Sequence, residues 1–242
     1  IDNPPANILS EAAVDALASA FEGVSADPAV KAVVLTGAGK MFCAGANIEE
    51  LAALDERHRA EAFSRKGQAL CELIERSQKP VVAALNGRYV LGGGAELAVA
   101  CHLRLAERNT QFGNPEVRLG LMVGWGGSQR LPRLVGLGKG LELLLTGRRV
   151  SAAEAEAMGL INRVVEDGTV RQEALRLAGE LARLSGPVLE ATLQAVLTGV
   201  RRGPEAGLKA ECQLFGLLSE NADWHEGMQA FLEKREPRFE DR

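Results

Sequence analysis

Apolar residues follow two patterns along this chain. In residues 30–39, VKAVVLTGAG, and 80–87, PVVAALNG, they run almost unbroken and stop at turn residues. Such runs predict strands covered on both faces. Residues 101–108, CHLRLAER, alternate with period two and predict a third strand. Elsewhere the spacing is helical. Val14, Leu17, Ala18 and Phe21 follow Ser10, a good helix cap, with Glu11 in the first turn. Residues 48–78 form a long charged amphipathic segment, predicted to be mostly helix. Strands alternating with helices indicate the α/β class.

The character changes near Leu131. GKGLELLLTG and SAAEAEAMGL read as short helices, the second opened by a capping box from Ser151 to Glu154. From Val170 onward the pattern predicts amphipathic helices broken at Gly186-Pro187 and Gly203-Pro204. No low-complexity linker divides the chain and no short-period repeat is visible. The chain opens at Ile1 without a methionine, in a stretch that reads like the end of a strand, so residues are expected to precede it.

The length of 242 residues suits one large domain, or one with a small appendage. A net charge of −4 disfavours nucleic-acid binding through bulk electrostatics, although it permits a local basic patch. No apolar run reaches the ~18–20 residues of a membrane span, and no secretory leader is visible. Cys43, Cys71, Cys101 and Cys212 form no CxxC pair. Free thiols in a reducing cytoplasm are therefore expected, and no zinc site. His58, His102 and His225 are too dispersed to suggest a metal centre or a Ser/His/Asp triad.

Candidate chemistry lies in VLGGGAELAVA, residues 90–100, where three glycines run into an apolar helix. A helix starting near Gly93 to Ala95 presents unpaired N–H groups that favour negative charge. Glycine lets a ligand oxygen approach them without meeting a Cβ. FCAGANIEE, residues 42–50, is a second glycine-marked turn after a strand. One N–H from each turn would make an oxyanion hole, in which a single donor contributes about 2.7–4 kcal/mol. Glu96 follows the glycines and Glu116 lies in QFGNPEVRLGL, each among apolar neighbours that raise a carboxyl pKa towards values useful for proton transfer. The same residues also suit plainer roles: a tight turn, a helix-end charge and a surface acid.

The ordered segments VLTGAGKMFCAGANIEEL, KPVVAALNGRYVLGGGAELAVACHLRLA, QFGNPEVRLGL, GGSQRLPRLVG and LTGRRVSAAEAEAMGLINRVV resemble the enoyl-CoA hydratase/isomerase (crotonase) family. The tail DWHEGMQAFLEKREPRF is similar as well, so the resemblance covers nearly the whole chain. It implies a crotonase-like spiral of ββα units over residues 1–180 and a C-terminal α-helical trimerisation region over residues 181–242, with trimers commonly paired into hexamers. It implies an acyl-CoA thioester as substrate, no metal, and no cofactor beyond the coenzyme A that the substrate carries. Ala46 and Gly93 match the positions whose N–H groups hold the thioester oxygen. Ala44, Asn47, Ile48, Gly92 and Trp125 match the surrounding substrate-binding positions. Glu96 matches the acid that helps deprotonate the attacking water, Glu116 the acid that protonates Cα, and Gly124 a backbone donor to the water. Phe215 and Lys234 match positions that reach the coenzyme A pocket of a neighbouring subunit; a solvated helix end is the plainer reading.

Both acids are present, which favours a hydratase adding water, reversibly and syn, to a trans-2-enoyl-CoA to give the 3-hydroxyacyl-CoA. The alternatives are an isomerase or another acyl-CoA enzyme of the family, and a non-catalytic or RNA-binding member. The chain departs from the common family pattern at four places. Asn47 stands where many members have Asp, and Glu49 where a lysine often meets coenzyme A phosphates. NGRYVLGGG is one residue longer than the common form. Trp125 replaces a small residue, and suits either a cap on the acyl pocket or packing against a neighbouring helix.

Overall fold

The computed structural model describes residues 1–241. Its strands form two sheets. The larger is entirely parallel, built from β1 (Val33–Thr36), β2 (Val81–Leu85), β4 (Leu103–Glu107) and β7 (Arg163–Val165) in the order β1-β2-β4-β7. The smaller has the order β3-β5-β6, from β3 (Tyr89–Leu91), β5 (Gln111–Gly113) and β6 (Arg149–Ser151). β3 pairs with β5 in parallel and β5 with β6 antiparallel.

The ββα repeat is visible in the connections. β2 leads into β3 and then α4 (Gly93–Ala100). β4 leads into β5, a 3-10 turn (Pro115–Leu119), α5 (Gly127–Val135) and α6 (Leu137–Thr146). After β1, isolated bridges from Met41 to Gly87 and from Cys43 to Val90 extend the second layer before α2 (Ile48–Ala52) and α3 (Arg57–Glu75).

β2 sits at the centre and is buried along its whole length. Val81, Ala83 and Leu85 join the main core with residues of α1 (Glu11–Ala26), α3 and α4. Val82 and Ala84 face the other way, onto Val170 and Ala174 of α8 (Val170–Leu181). A strand buried on both faces has no polar stripe, which is why its sequence is uniformly apolar.

Local signals act as the pattern predicts, with several adjustments. Ser10 accepts from the Ala13 N–H and starts α1. The expected long helix is two helices, because residues 53–56 interrupt it between α2 and α3. Only four residues of the 30–39 run are strand. The period-two alternation of residues 101–108 does not mark an exposed face: Arg104 and Glu107 are as buried as their apolar neighbours. Arg104 donates to the Leu160 carbonyl at 2.7 Å, and Glu107 accepts from the N–H groups of Gly87 and Gly168. Ser151 caps α7 (Ala152–Ala157) by accepting from the Glu154 N–H, while the Glu154 carboxylate pairs with Arg148.

Both Gly-Pro signals open helices, α9 (Gly186–Arg202) and α10 (Pro204–Leu218). These pack as a helical hairpin so closely that a Cβ on Gly207 would lie 2.7 Å from the Gly199 Cα. α11 (Ala222–Glu233) is tied to the tail through buried Asp223, which accepts from the N–H groups of Glu240 and Asp241. Asp241 in turn caps α9 at the Gly186 N–H and pairs with Lys31 at 2.5 Å. Among the described residues no helix is long and apolar enough to cross a membrane.

Candidate active site

A cavity of about 750 Å³ lies where the Ala44–Ile48 segment, the glycine turn, the 3-10 turn and α3 meet. Ala44, Ala46, Ile48, Gly92, Gly93, Glu96, Glu116, Gly124 and Trp125, positions singled out by the family resemblance, all line it. Asn47 is adjacent. Its side chain caps α2 by accepting from the Glu49 N–H at 2.9 Å, a task open to Asn as well as Asp. Glu49 is solvent-exposed.

The two glycine turns are held side by side. The Leu91 N–H donates to the Cys43 carbonyl at 3.1 Å, while the Asn47 N–H ties the first turn to the N-terminal segment through the Leu9 carbonyl at 3.0 Å. A Cβ on Gly45 would come 3.5 Å from the Gly93 nitrogen. Gly45 has φ +114° and Gly92 φ +54°, a region that L side chains avoid. Gly93 is the first residue of α4, so its N–H belongs to the unpaired group at a helix start. Neither the Ala46 nor the Gly93 N–H has a hydrogen-bond acceptor among the described residues.

The acids differ in their surroundings. Glu96 is 3% exposed, and its Oε1 accepts from the N–H groups of Trp125 and Gly127, both at 2.8 Å. Burial pushes its pKa up to about 7. The Gly127, Trp125 and Gly124 N–H groups pull it down, and the charge of Glu116 adds to the rise. Glu116 sits at the start of the 3-10 turn after Pro115 and is half-buried. Burial raises its pKa as well, against weaker opposing bonds from its own backbone and from Asn114. Its Oε2 is buried without a hydrogen-bond partner. A Cβ on Gly92 would lie 3.5 Å from Glu116 Oε1. One carboxylate is thus fixed by donors, and the other faces the cavity beside the glycine turn with an unsatisfied oxygen.

Several residues that shape this site carry no sequence signal of their own. Ser64 and Gln68 on α3 both donate to the Gly124 carbonyl, at 2.6 and 2.9 Å. The Trp125 ring packs over Gly67 of α3 and Gly93 of α4, with Phe63 at 5.9 Å between ring centroids. Both sequence expectations for Trp125 therefore describe part of its position: the ring packs against a helix and also walls the cavity. Leu51, Leu54, Leu121 and Met122 complete a largely apolar lining.

Two expected residues lie elsewhere. Phe215 is 62% exposed and meets Trp224 edge-on, with centroids 5.0 Å apart. Lys234 is exposed just after α11, with φ +55°. Neither lines the cavity of its own chain. Cys43, Cys71 and Cys101 are buried free thiols and Cys212 is exposed. No cluster of three or more His, Cys, Asp or Glu that could hold a metal occurs among the described residues.

Comparison with known proteins identifies the family. The chain is 40% identical over 240 residues to a probable enoyl-CoA hydratase of Bacillus subtilis, covering 99% of this chain and 93% of the relative. It is 40% identical to a crotonyl-CoA hydratase of Syntrophomonas wolfei, covering 99% and 92%. The crystal structure of an enoyl-CoA hydratase from Bacillus anthracis superposes with a TM-score of 0.91 at 35% identity, covering 97% of this chain and 90% of that one. The enoyl-CoA hydratase/isomerase family profile matches residues 1–242. With the ββα spiral, the paired glycine turns and the full-length likeness, the chain belongs to the enoyl-CoA hydratase/isomerase family.

Proposed function

We propose that the protein is an enoyl-CoA hydratase, a hydro-lyase that adds water across the double bond of a trans-2-enoyl-CoA. One observation carries the reading. Two carboxyl groups of raised pKa face one apolar cavity beside a pair of unpaired backbone N–H groups. The thioester oxygen accepts from the Ala46 and Gly93 N–H groups, which draw enolate charge onto that oxygen as the water adds. Glu96, fixed by the Trp125 and Gly127 N–H groups, takes a proton from the water attacking Cβ. Glu116 delivers a proton to Cα. Gly124 helps to place the water. Ala44, Asn47, Ile48 and Gly92 border the thioester and the start of the coenzyme A moiety.

Each positioned acid–base group contributes about 10²–10⁴-fold. The reaction balances without a separate cofactor: the proton Glu96 gains from water and the one Glu116 gives to Cα cancel once the two acids re-equilibrate, so one water is added per turnover. The chain works as a trimer or a pair of trimers, in which exposed Phe215 and Lys234 serve the coenzyme A site of a neighbouring subunit, and it acts in the cytoplasm.

The test is loss of the conjugated enoyl-thioester absorbance with crotonyl-CoA, with identification of the product. Wild type is expected to give 3-hydroxybutyryl-CoA. Glu96→Gln and Glu116→Gln are each expected to lose about 10²-fold or more. A shifted double bond that survives Glu96→Gln would replace the hydratase reading with an isomerase.

A further inference from the structure

The loop that holds Glu96 is itself held from behind. Glu96 Oε1 depends on the N–H groups of Trp125 and Gly127, so the orientation of the Gly124–Trp125 and Gly126–Gly127 peptides fixes the carboxylate. Gly126 has φ +104°, a conformation with no intrinsic preference to persist. The Trp125 carbonyl, which belongs to the peptide between those two, accepts from Arg130 Nη1 at 3.1 Å. A Cβ on Gly126 would fall 2.2 Å from that same nitrogen, so the guanidinium lies directly against the turn.

Arg130 does not stand alone. Its Nη2 meets Glu75 Oε2 at 3.0 Å, and Arg201 Nη2 meets the same oxygen at 2.6 Å. Glu75 is at the end of α3 and Arg201 at the end of α9. The side chains of Arg130 and Glu75 are only 11% and 14% exposed. Water screens such a pair far less than a surface one, and a guanidinium fork can serve a carboxylate and a carbonyl at once.

From these contacts we infer that Arg130, braced by Glu75 and Arg201, is a positioning residue: it clamps the Trp125 carbonyl so that the Trp125 and Gly127 N–H groups stay aimed at Glu96. The seating of α9 on the core is thereby coupled to the geometry of the reacting carboxylate. The role in turnover rests on the reading of Glu96 as a base; the geometric role does not.

Two readouts separate these. The chain has two tryptophans, so selective ¹⁵N-tryptophan labelling isolates the Trp125 backbone amide, with Trp224→Phe to assign it. The titratable neighbours of Glu96 are Glu116 and buried Cys71, whose own pKa lies far above the range scanned. In wild type the Trp125 amide shift is expected to titrate near pH 7 and to stop doing so in Glu96→Gln. In Arg130→Met the midpoint is expected to rise by about half a unit to one unit, because weakened N–H donors no longer favour the charged carboxylate. An unchanged midpoint in folded Arg130→Met overturns the clamp. Arg201→Met is expected to move it in the same direction by less. An unchanged midpoint there overturns the bracing, and it overturns the whole proposal if Arg130→Met does not fold.

With crotonyl-CoA, Arg130→Met is expected to lower kcat about 10- to 100-fold with KM within about threefold. In the Glu96→Gln background the same substitution is expected to cost less than about twofold, since residues acting as one unit are not additive. An equal cost in both backgrounds assigns Arg130 a general structural role and overturns the proposal. If wild type hydrates neither crotonyl-CoA nor a panel of branched, longer and cyclic enoyl-CoAs, the hydratase reading fails while the amide titration still decides the clamp.

Discussion

The Trp125 ring occupies the space a side chain at residue 67 would need: a Cβ on Gly67 would fall 2.2 Å from three of its ring atoms. The contact joins α3 to the loop that holds Glu96. It also leaves the indole 3% exposed, with its free face toward the cavity. A glycine inside a helix costs roughly 1 kcal/mol relative to alanine. At this position the packing it permits outweighs that cost.

Gly67→Ala is therefore expected to destabilise the protein, although helix propensity alone would stabilise it. Overpacking against a rigid ring costs about 1–3 kcal/mol, against a propensity gain of about 1 kcal/mol. Urea denaturation should show a net loss, and crotonyl-CoA hydration should fall with it as the ring is pushed from its place. A variant more stable than wild type would refute this account of the contact.

Trp125→Leu should enlarge the acyl site. Each methylene admitted to an apolar pocket is worth about 1–3 kcal/mol, or 10- to 200-fold in discrimination. The ratio of kcat/KM for trans-2-octenoyl-CoA over crotonyl-CoA is expected to rise by about tenfold or more. An unchanged ratio would make Trp125 packing material only. Part of any fall in stability would come from the void left by the smaller side chain.

Acyl groups ending in a carboxylate should be poor substrates. Among the described residues the charged side chains lining the cavity are Glu96 and Glu116, both acids. A third carboxylate buried there would have no cation to meet and would be repelled. Crotonyl-CoA is expected to exceed 2,3-dehydroadipyl-CoA in kcat/KM by about 100-fold, on the magnitude of an unpaired buried charge. Comparable rates for the two would show that a cation reaches the acyl end from outside this lining.

The pKa of Glu96 also predicts how stability changes with pH. Its folded-state value of about 7 lies above the ordinary 4.5, so protonation favours the folded state. The favourable contribution is complete below about pH 4.5 and is lost as pH rises through 7. Glu96→Gln lacks this dependence. Its stability relative to wild type should therefore increase between pH 5 and pH 8, by on the order of 3 kcal/mol. Parallel stability curves for the two proteins would contradict the burial of a titrating Glu96.

How much the sequence reveals depends on the length of each signal. β2 is legible because five consecutive buried positions leave an unbroken apolar run. β3, β5, β6 and β7 have three residues each, too few to establish a period. The glycine turns and both acids stand out because their residue types conflict with their neighbours. Ser64, Gln68 and Arg130 do not, since each is an ordinary polar residue on an amphipathic helix. Their importance comes from what they meet after folding, including Gly124, 56 residues beyond Gln68. The contact between Gly67 and Trp125 is hidden for the same reason. Phe215 and Lys234 are set apart only by family resemblance.

Residues 124–127 combine two duties. The side chain of Trp125 walls the cavity, while the backbone of Trp125 and Gly127 holds Glu96. The shape of the cavity and the placement of Glu96 are therefore linked in this chain. A mutation that reshapes the loop also moves the Glu96 carboxylate. Leu51 and Leu54 line the same cavity from outside this loop, so a change in shape there leaves the backbone that holds Glu96 untouched.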